Sequence, residues 1–215
     1  SYSLGLINGV ADGSFLPKKT LTRGEGSAIV MRYLDKGMRN PMRPKGSEIV
    51  TITNELYNKT YEIYPLSKPE VMDVIRVMKE STPKSKGYSE LAYNPAEELI
   101  FSRFYTSKEA YEESTIFSDC CFSIRMAEWE LGGYSLVVFE PNAVKELHRE
   151  VIVDLFNHLF ENEAEKVIKD FEHCLELGIK GGQEYQKEYR LNNRRVVISK
   201  HQGDNGFSIG IGLQN

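Results

Sequence analysis

The stretch from Pro141 to Gly178 constrains the fold of this chain more than any other. Val144, Leu147, Val151, Ile152, Leu155, Phe156, Leu159 and Phe160 recur at helical spacing, giving a wide apolar face meant for burial. Pro141-Asn142 ends what precedes and opens this helix, predicted over 142–160. Asn162-x-x-Glu165 reads as a second cap, before a helix carrying Val167, Ile168, Phe171 and Leu175 that Gly178 stops. Two such helices need an apolar surface to cover, and the flanking text supplies strands. Phe122–Leu131 and Tyr134–Phe139 read as a hairpin turned at Gly132-Gly133. Gln183–Leu191, Arg194–Lys200 and Phe207–Leu213 read as a three-stranded antiparallel meander, turned at Asn192-Asn193 and at Gly203-Asp-Asn-Gly206. The expected fold class is therefore α+β: an antiparallel sheet with helices packed across it.

Upstream the text is less regular. Glu48–Thr53 and Thr60–Tyr64 are rich in β-branched and aromatic residues and read as strands. Pro69 opens a helix through about Glu80, with Val71, Met72, Ile75 and Met78 along one side. Residues 82–87 form a polar loop; a strand is expected near Leu99–Tyr105 and a helical turn near Lys108–Glu113. The prolines and glycine of residues 40–46 cannot continue a helix and mark a linker. The expected organisation is a segment 1–39, the linker 40–46 and a domain over 47–215.

The first segment has its own logic. Asp12-Gly13 is a tight-turn dipeptide, Phe15 a lone apolar anchor, and Pro17 a stop to any preceding helix. Thr22-x-x-Glu25 is a capping box, in which the Thr hydroxyl accepts from an amide three residues on and the Glu reaches back. Ile29, Val30, Tyr33 and Leu34 make an apolar stripe behind the cap, on a helix ending near Gly37.

Gly5, Leu6, Ile7, Asn8, Gly9, Asp12, Gly13, Phe15, Pro17, Thr22, Arg23, Glu25 and Arg32 stand in the order of an S-layer homology motif, and residues 1–39 resemble the second half of one. The resemblance implies a secreted bacterial surface protein, extracellular and associated with the cell wall, whose tandem motifs hold an anionic, often pyruvylated secondary cell-wall polysaccharide. It gives Arg23 the ligand carboxylate, a task suited to a planar bidentate guanidinium. Gly9 would admit the sugar to the backbone, Asp12 belongs to the same ligand-binding loop, and Thr22 and Glu25 are the structural cap. Two positions depart from the pattern: Gly24 stands where Ala is usual, and Gly26 where a bulkier residue is common. The motif's opening helix is missing before Ser1, so the chain is expected to come from a longer one.

Charge agrees with an anionic partner for this segment. Residues 1–46 hold eight Lys and Arg against three Asp and Glu, so a chain of net charge −4 divides into a basic start and an acidic remainder. The acidic remainder argues against nucleic acid, and no run is long and apolar enough for a membrane span.

For residues 47–215 no catalytic constellation is expected. His148 and His158 stand about 280° apart on a helical wheel, and His173 beside Cys174 cannot converge on one metal. Cys120, Cys121 and Cys174 have no zinc spacing. Gly-x-Ser-x-Gly is absent, and Gly210-Ile-Gly212 precedes no helix that could complete a phosphate cradle. No metal and no cofactor are expected. Tyr57, Tyr61, Tyr64, Trp129, Tyr134, Tyr185 and Tyr189 are either a sugar- or peptide-binding aromatic face or rings lining the core. This domain of unassigned role reads as binding or structural rather than catalytic; the alternative is a wall-associated hydrolase or other enzyme carried by the same anchor.

Overall fold

In a computed structural model, residues 20–38, 50–54, 58–63, 69–94, 99–127, 133–181 and 183–213 are described. The chain divides into two compact units, Ser1–Val50 with Glu62–Pro69, and Thr51–Tyr61 with Glu70–Asn215. In the first, α1 (Arg23–Leu34) is followed by a 3-10 turn, Lys36–Met38.

Two short strands, β1 (Val50–Asn54) and β2 (Lys59–Ile63), pair with each other. Helix α2 (Pro69–Ser81) leads through a 3-10 turn, Thr82–Lys84, into a seven-stranded sheet of order β3-β4-β5-β6-β9-β8-β7. Its strands are β3 (Tyr88–Asn94), β4 (Leu99–Tyr105), β5 (Phe122–Ala127), β6 (Gly133–Val138), β7 (Tyr185–Leu191), β8 (Arg194–Lys200) and β9 (Phe207–Gly212). Every neighbouring pair is antiparallel. The short α3 (Lys108–Glu113) lies between β4 and β5. A continuous helical run from Pro141 to Phe160 comprises α4 (Pro141–Ala143), a π turn (Val144–His148) and α5 (Arg149–Phe160). Helix α6 (Ala164–Ile179) follows. The α+β class is as the periodicities predict.

Alternation builds the core. Ile124 stands opposite Leu136, Leu136 opposite Ile209, and Ile209 opposite Ile198, so one row of aliphatic side chains crosses four strands on one face. All four are buried, as are Phe122, Met126, Val138, Phe207 and Val196 on the same face. Helices α5 and α6 cover it with Val151, Ile152, Leu155, Phe156, Val167, Phe171 and Leu175. Phe171 joins the layers, its ring 5.7 Å from Phe156 and 6.0 Å from Phe207. Each large side chain so buried contributes about 1.5–3 kcal/mol. On the other face a smaller cluster gathers Tyr105, Tyr111 of α3 and Cys120, with Tyr88 and Phe139 against it.

Four expectations need correction. The sequence reading assigns no strand to 88–94, yet β3 is an edge strand there; its alternation is broken by polar residues that the half-covered edge tolerates. Asn162 and Glu165 do not cap α6. Glu161–Glu163 form a 3-10 turn instead, Glu161 taking a positive φ of 50°, and the helix begins at Ala164 with no side-chain cap. Gly178 does not stop α6 by turning left-handed. It lies within the helix because a Cβ there would come 2.4 Å from the Asn205 carbonyl and 2.6 Å from Pro141, while Gly181 takes the positive φ of 66°. Gly133 likewise serves close approach: a Cβ would sit 1.9 Å from the Ile211 carbonyl oxygen. The Asn192-Asn193 turn holds as expected, with φ of 45° and 59°.

Candidate wall-binding segment

The capping box forms. Thr22 is extended (φ −72°, ψ 161°), and its hydroxyl accepts from the Glu25 amide at 3.2 Å. The Glu25 carboxylate accepts from the Thr22 amide at 2.8 Å and from the Thr22 hydroxyl at 2.9 Å. This reciprocal pair satisfies donors a helix start leaves open and puts negative charge at its positive end. The consequence for chemistry is positional. Arg23 becomes the first residue of the helix and is exposed, its backbone held by the cap on either side. Gly9 and Asp12, the other residues given to the ligand, and the Asp12-Gly13 turn lie outside the described residues.

The stripe behind the cap is helical but not buried. Val30, Met31, Tyr33 and Leu34 are 49–73% exposed, as are Leu21 and Met38 nearby, and no residue of α1 is buried. Gly24 and Gly26 face open space, where an added Cβ would meet nothing within 4 Å.

In the second unit the residues weighed for chemistry do not assemble. Burial pushes each of the Cys120, Cys121 and Cys174 thiols up to about 12, leaving them poor nucleophiles at neutral pH. All three are free and buried. Among the described residues no three His, Cys, Asp or Glu side chains are placed to hold a metal ion. His173 packs its ring 5.0 Å from Tyr185. Tyr134 is buried, and Tyr185 and Tyr189 lie on the helix-covered face rather than on an open one. Tyr61 packs edge-on against Tyr93. Tyr57, Tyr64 and Trp129 lie outside the described residues.

Three polar clusters escape the sequence reading because their members are far apart in the chain. The Asp170 carboxylate accepts from Tyr185 at 2.9 Å and from Lys187 at 2.7 Å. Glu70 joins Arg194 and Tyr134. His148 meets Ser85 across 63 positions, its Nδ1 2.8 Å from the hydroxyl. No local spacing announces any of these.

No curated protein and no solved structure matches this chain. Residues 1–25, ending on the capping glutamate, match the family model of the S-layer homology domain, which marks a protein of the cell surface associated with the cell wall.

Proposed function

We propose that this chain is part of a bacterial surface protein held non-covalently to the wall through S-layer homology motifs that bind an anionic secondary cell-wall polysaccharide. Residues 47–215 are the domain presented by that anchor, with a binding or structural role. The observation that supports this reading is the Thr22–Glu25 capping box beside an exposed Arg23. A guanidinium fixed by its backbone at a helix start can address a carboxylate with two parallel hydrogen bonds, and less side-chain and loop ordering then opposes binding. By the same resemblance, Gly9 and Asp12 complete the proposed contact. The exposed apolar stripe of α1 suits a motif that shares its grooves with neighbours, as the tandem arrangement of the family implies.

The test is retention of a longer chain, carrying complete motifs upstream of Ser1, on purified wall with its secondary polymer and on wall stripped of it. Retention on the first alone, weakened at least tenfold by Arg23→Ala, is the expected result. Equal retention on both preparations rejects the anchoring mechanism.

A further inference from the structure

Residues 81–87, from the last residue of α2 up to β3, are tied to the helical run 141–160 by four hydrogen bonds. The Ser81 hydroxyl donates to Asp154 Oδ2 at 2.7 Å, and Lys84 Nζ reaches the same oxygen at 2.5 Å. The Lys86 amide donates to the Leu147 carbonyl at 2.9 Å. The Ser85 hydroxyl accepts from the Gly87 amide at 3.2 Å and lies 2.8 Å from His148 Nδ1, to which it donates in the tautomer that carries its proton on Nε2. Leu147 and His148 belong to the π turn, a distortion that helices keep mostly where it has a use.

His148 is the unusual member. Its side chain is fully buried, and its Nε2 reaches no partner at full hydrogen-bond geometry, only a weaker contact with the Tyr105 backbone. From the loop it faces Ser85 and Gly87, the latter so close that a Cβ would come 2.6 Å from the ring. From β4 it faces the Phe104 ring and the backbone of Tyr105, and from β5 the Phe122 ring, each ring centroid 5.6 Å away. Among the described residues no charged side chain contributes to its titration, and the two charges of the tie, Lys84 and Asp154, pair with each other.

We propose that residues 81–87 are an acid-released clasp: protonation of His148, followed by that of Asp154, frees this segment from the helical run while the sheet beneath stays folded. A proton on Nδ1 ends the hydrogen bond that the ring accepts from Ser85, whose hydroxyl must turn away and give up the partner of its own proton. It also places a cation against two phenylalanine rings with no carboxylate to answer it. A proton on Asp154 removes the charge that Lys84 pairs with. Burial holds His148 down to about 4, the Tyr105 backbone opposing this more weakly. Burial pushes Asp154 up, but hydrogen bonds from Lys84 and Ser81 outweigh it and hold the group below its ordinary value. Both contributions are therefore complete at neutral pH. The histidine's share is lost first, as pH falls from about 6.5, the value of a free imidazole, toward 4.

The test is amide hydrogen exchange on the full chain between pH 7 and 4, corrected for intrinsic rates, together with an NMR titration of the His148 ring. Opening of 82–87 and of 147–152 is expected to rise by up to about tenfold per pH unit below 6, the limit for one linked proton. Strands β5, β6 and β9 stay protected, and the ring titrates well below 6. His148→Asn, which keeps an acceptor toward Ser85 but cannot charge, flattens the response between pH 6 and 4. Three results each overturn the proposal: a uniform loss of protection across the sheet, a flat response in the unmodified chain, or a ring titrating near 6.5. Should the Asn variant not fold, the ring titration and the distribution of exchange in the unmodified protein still decide.

Discussion

Glu70, in the first turn of α2, and Arg194, at the start of β8, meet across 124 positions of sequence at 2.5 Å. The same Glu70 oxygen accepts from the Tyr134 hydroxyl at 3.0 Å, and Arg194 Nε donates to the Leu159 carbonyl at 3.0 Å. This one ion pair thus ties α2, β6, β8 and, through the guanidinium, the end of α5. Burial, then Glu70, raise the Tyr134 phenol well above its ordinary value, so it stays a donor at all working pH. Glu70→Ala leaves a buried guanidinium without its counter-charge. The expected cost is about 3 kcal/mol, the lower end for breaking a buried pair, because Glu70 is partly exposed. Tyr134→Phe should cost only about 0.5–1.5 kcal/mol. Urea midpoints of the two variants check the order.

Asp170 gives a prediction with a sign in pH. Burial pushes its carboxyl up, but hydrogen bonds from Lys187 and Tyr185 outweigh this and hold it below the ordinary range. A depressed carboxylate contributes above its unfolded value and loses that contribution as pH falls through the folded one. Asp170→Asn should therefore cost about 1.5–3 kcal/mol at pH 7, and the difference from the unmodified protein should shrink in acid. Urea melts at pH 7 and pH 3 measure it.

The glycines divide by what surrounds them. Gly133→Ala and Gly178→Ala drive a methyl into a carbonyl oxygen and should each cost about 3 kcal/mol, the upper range for overpacking. Gly26→Ala, in α1 with open space around it, should gain about 0.5–1 kcal/mol of helix stability. Thermal melts separate the two groups by direction alone.

The cap on α1 separates structure from binding. Thr22→Ala removes both hydroxyl contacts to Glu25 and should lower the stability of α1 by about 0.5–2 kcal/mol. Arg23→Ala should leave it almost unchanged. Amide exchange of residues 25–28 reads the difference; equal losses in both variants would make Arg23 a structural residue.

The proposed boundary predicts that residues 47–215 fold alone. The helical run 141–160, α6 and the seven-stranded sheet share one core, and a core of this size suffices for an independent domain. A single cooperative urea transition and resistance to limited proteolysis are expected of that fragment.

Local rules were legible in the sequence. The Thr22–Glu25 box, the apolar face of α5, the Asn192-Asn193 turn and the meander are set by residues a few positions apart, and each formed where expected. What did not read out was decided by distant partners. Gly133 and Gly178 looked like turn residues but answer to β9 and to Pro141. Tyr134 and Tyr185 read as either a binding face or core rings, and Glu70 and Asp170, 64 and 15 positions away, settle them on the helix side. His148 shares no helical face with His158 and read as no ligand, and the partner it has, Ser85, lies in a loop that no periodicity marks.

Asn54 has a further consequence for how the sheet stops. Its side-chain amide accepts from the Tyr93 amide and donates to the Tyr93 carbonyl, both at 3.0 Å, filling on β3 the places a further strand would take. The opposite border, β7, carries Lys187, Glu188 and Arg190, charges that oppose the docking of a foreign strand. The molecule thus ends its ladder by mimicry at one border and, at the other, by charged groups that a docking strand would have to strip of water.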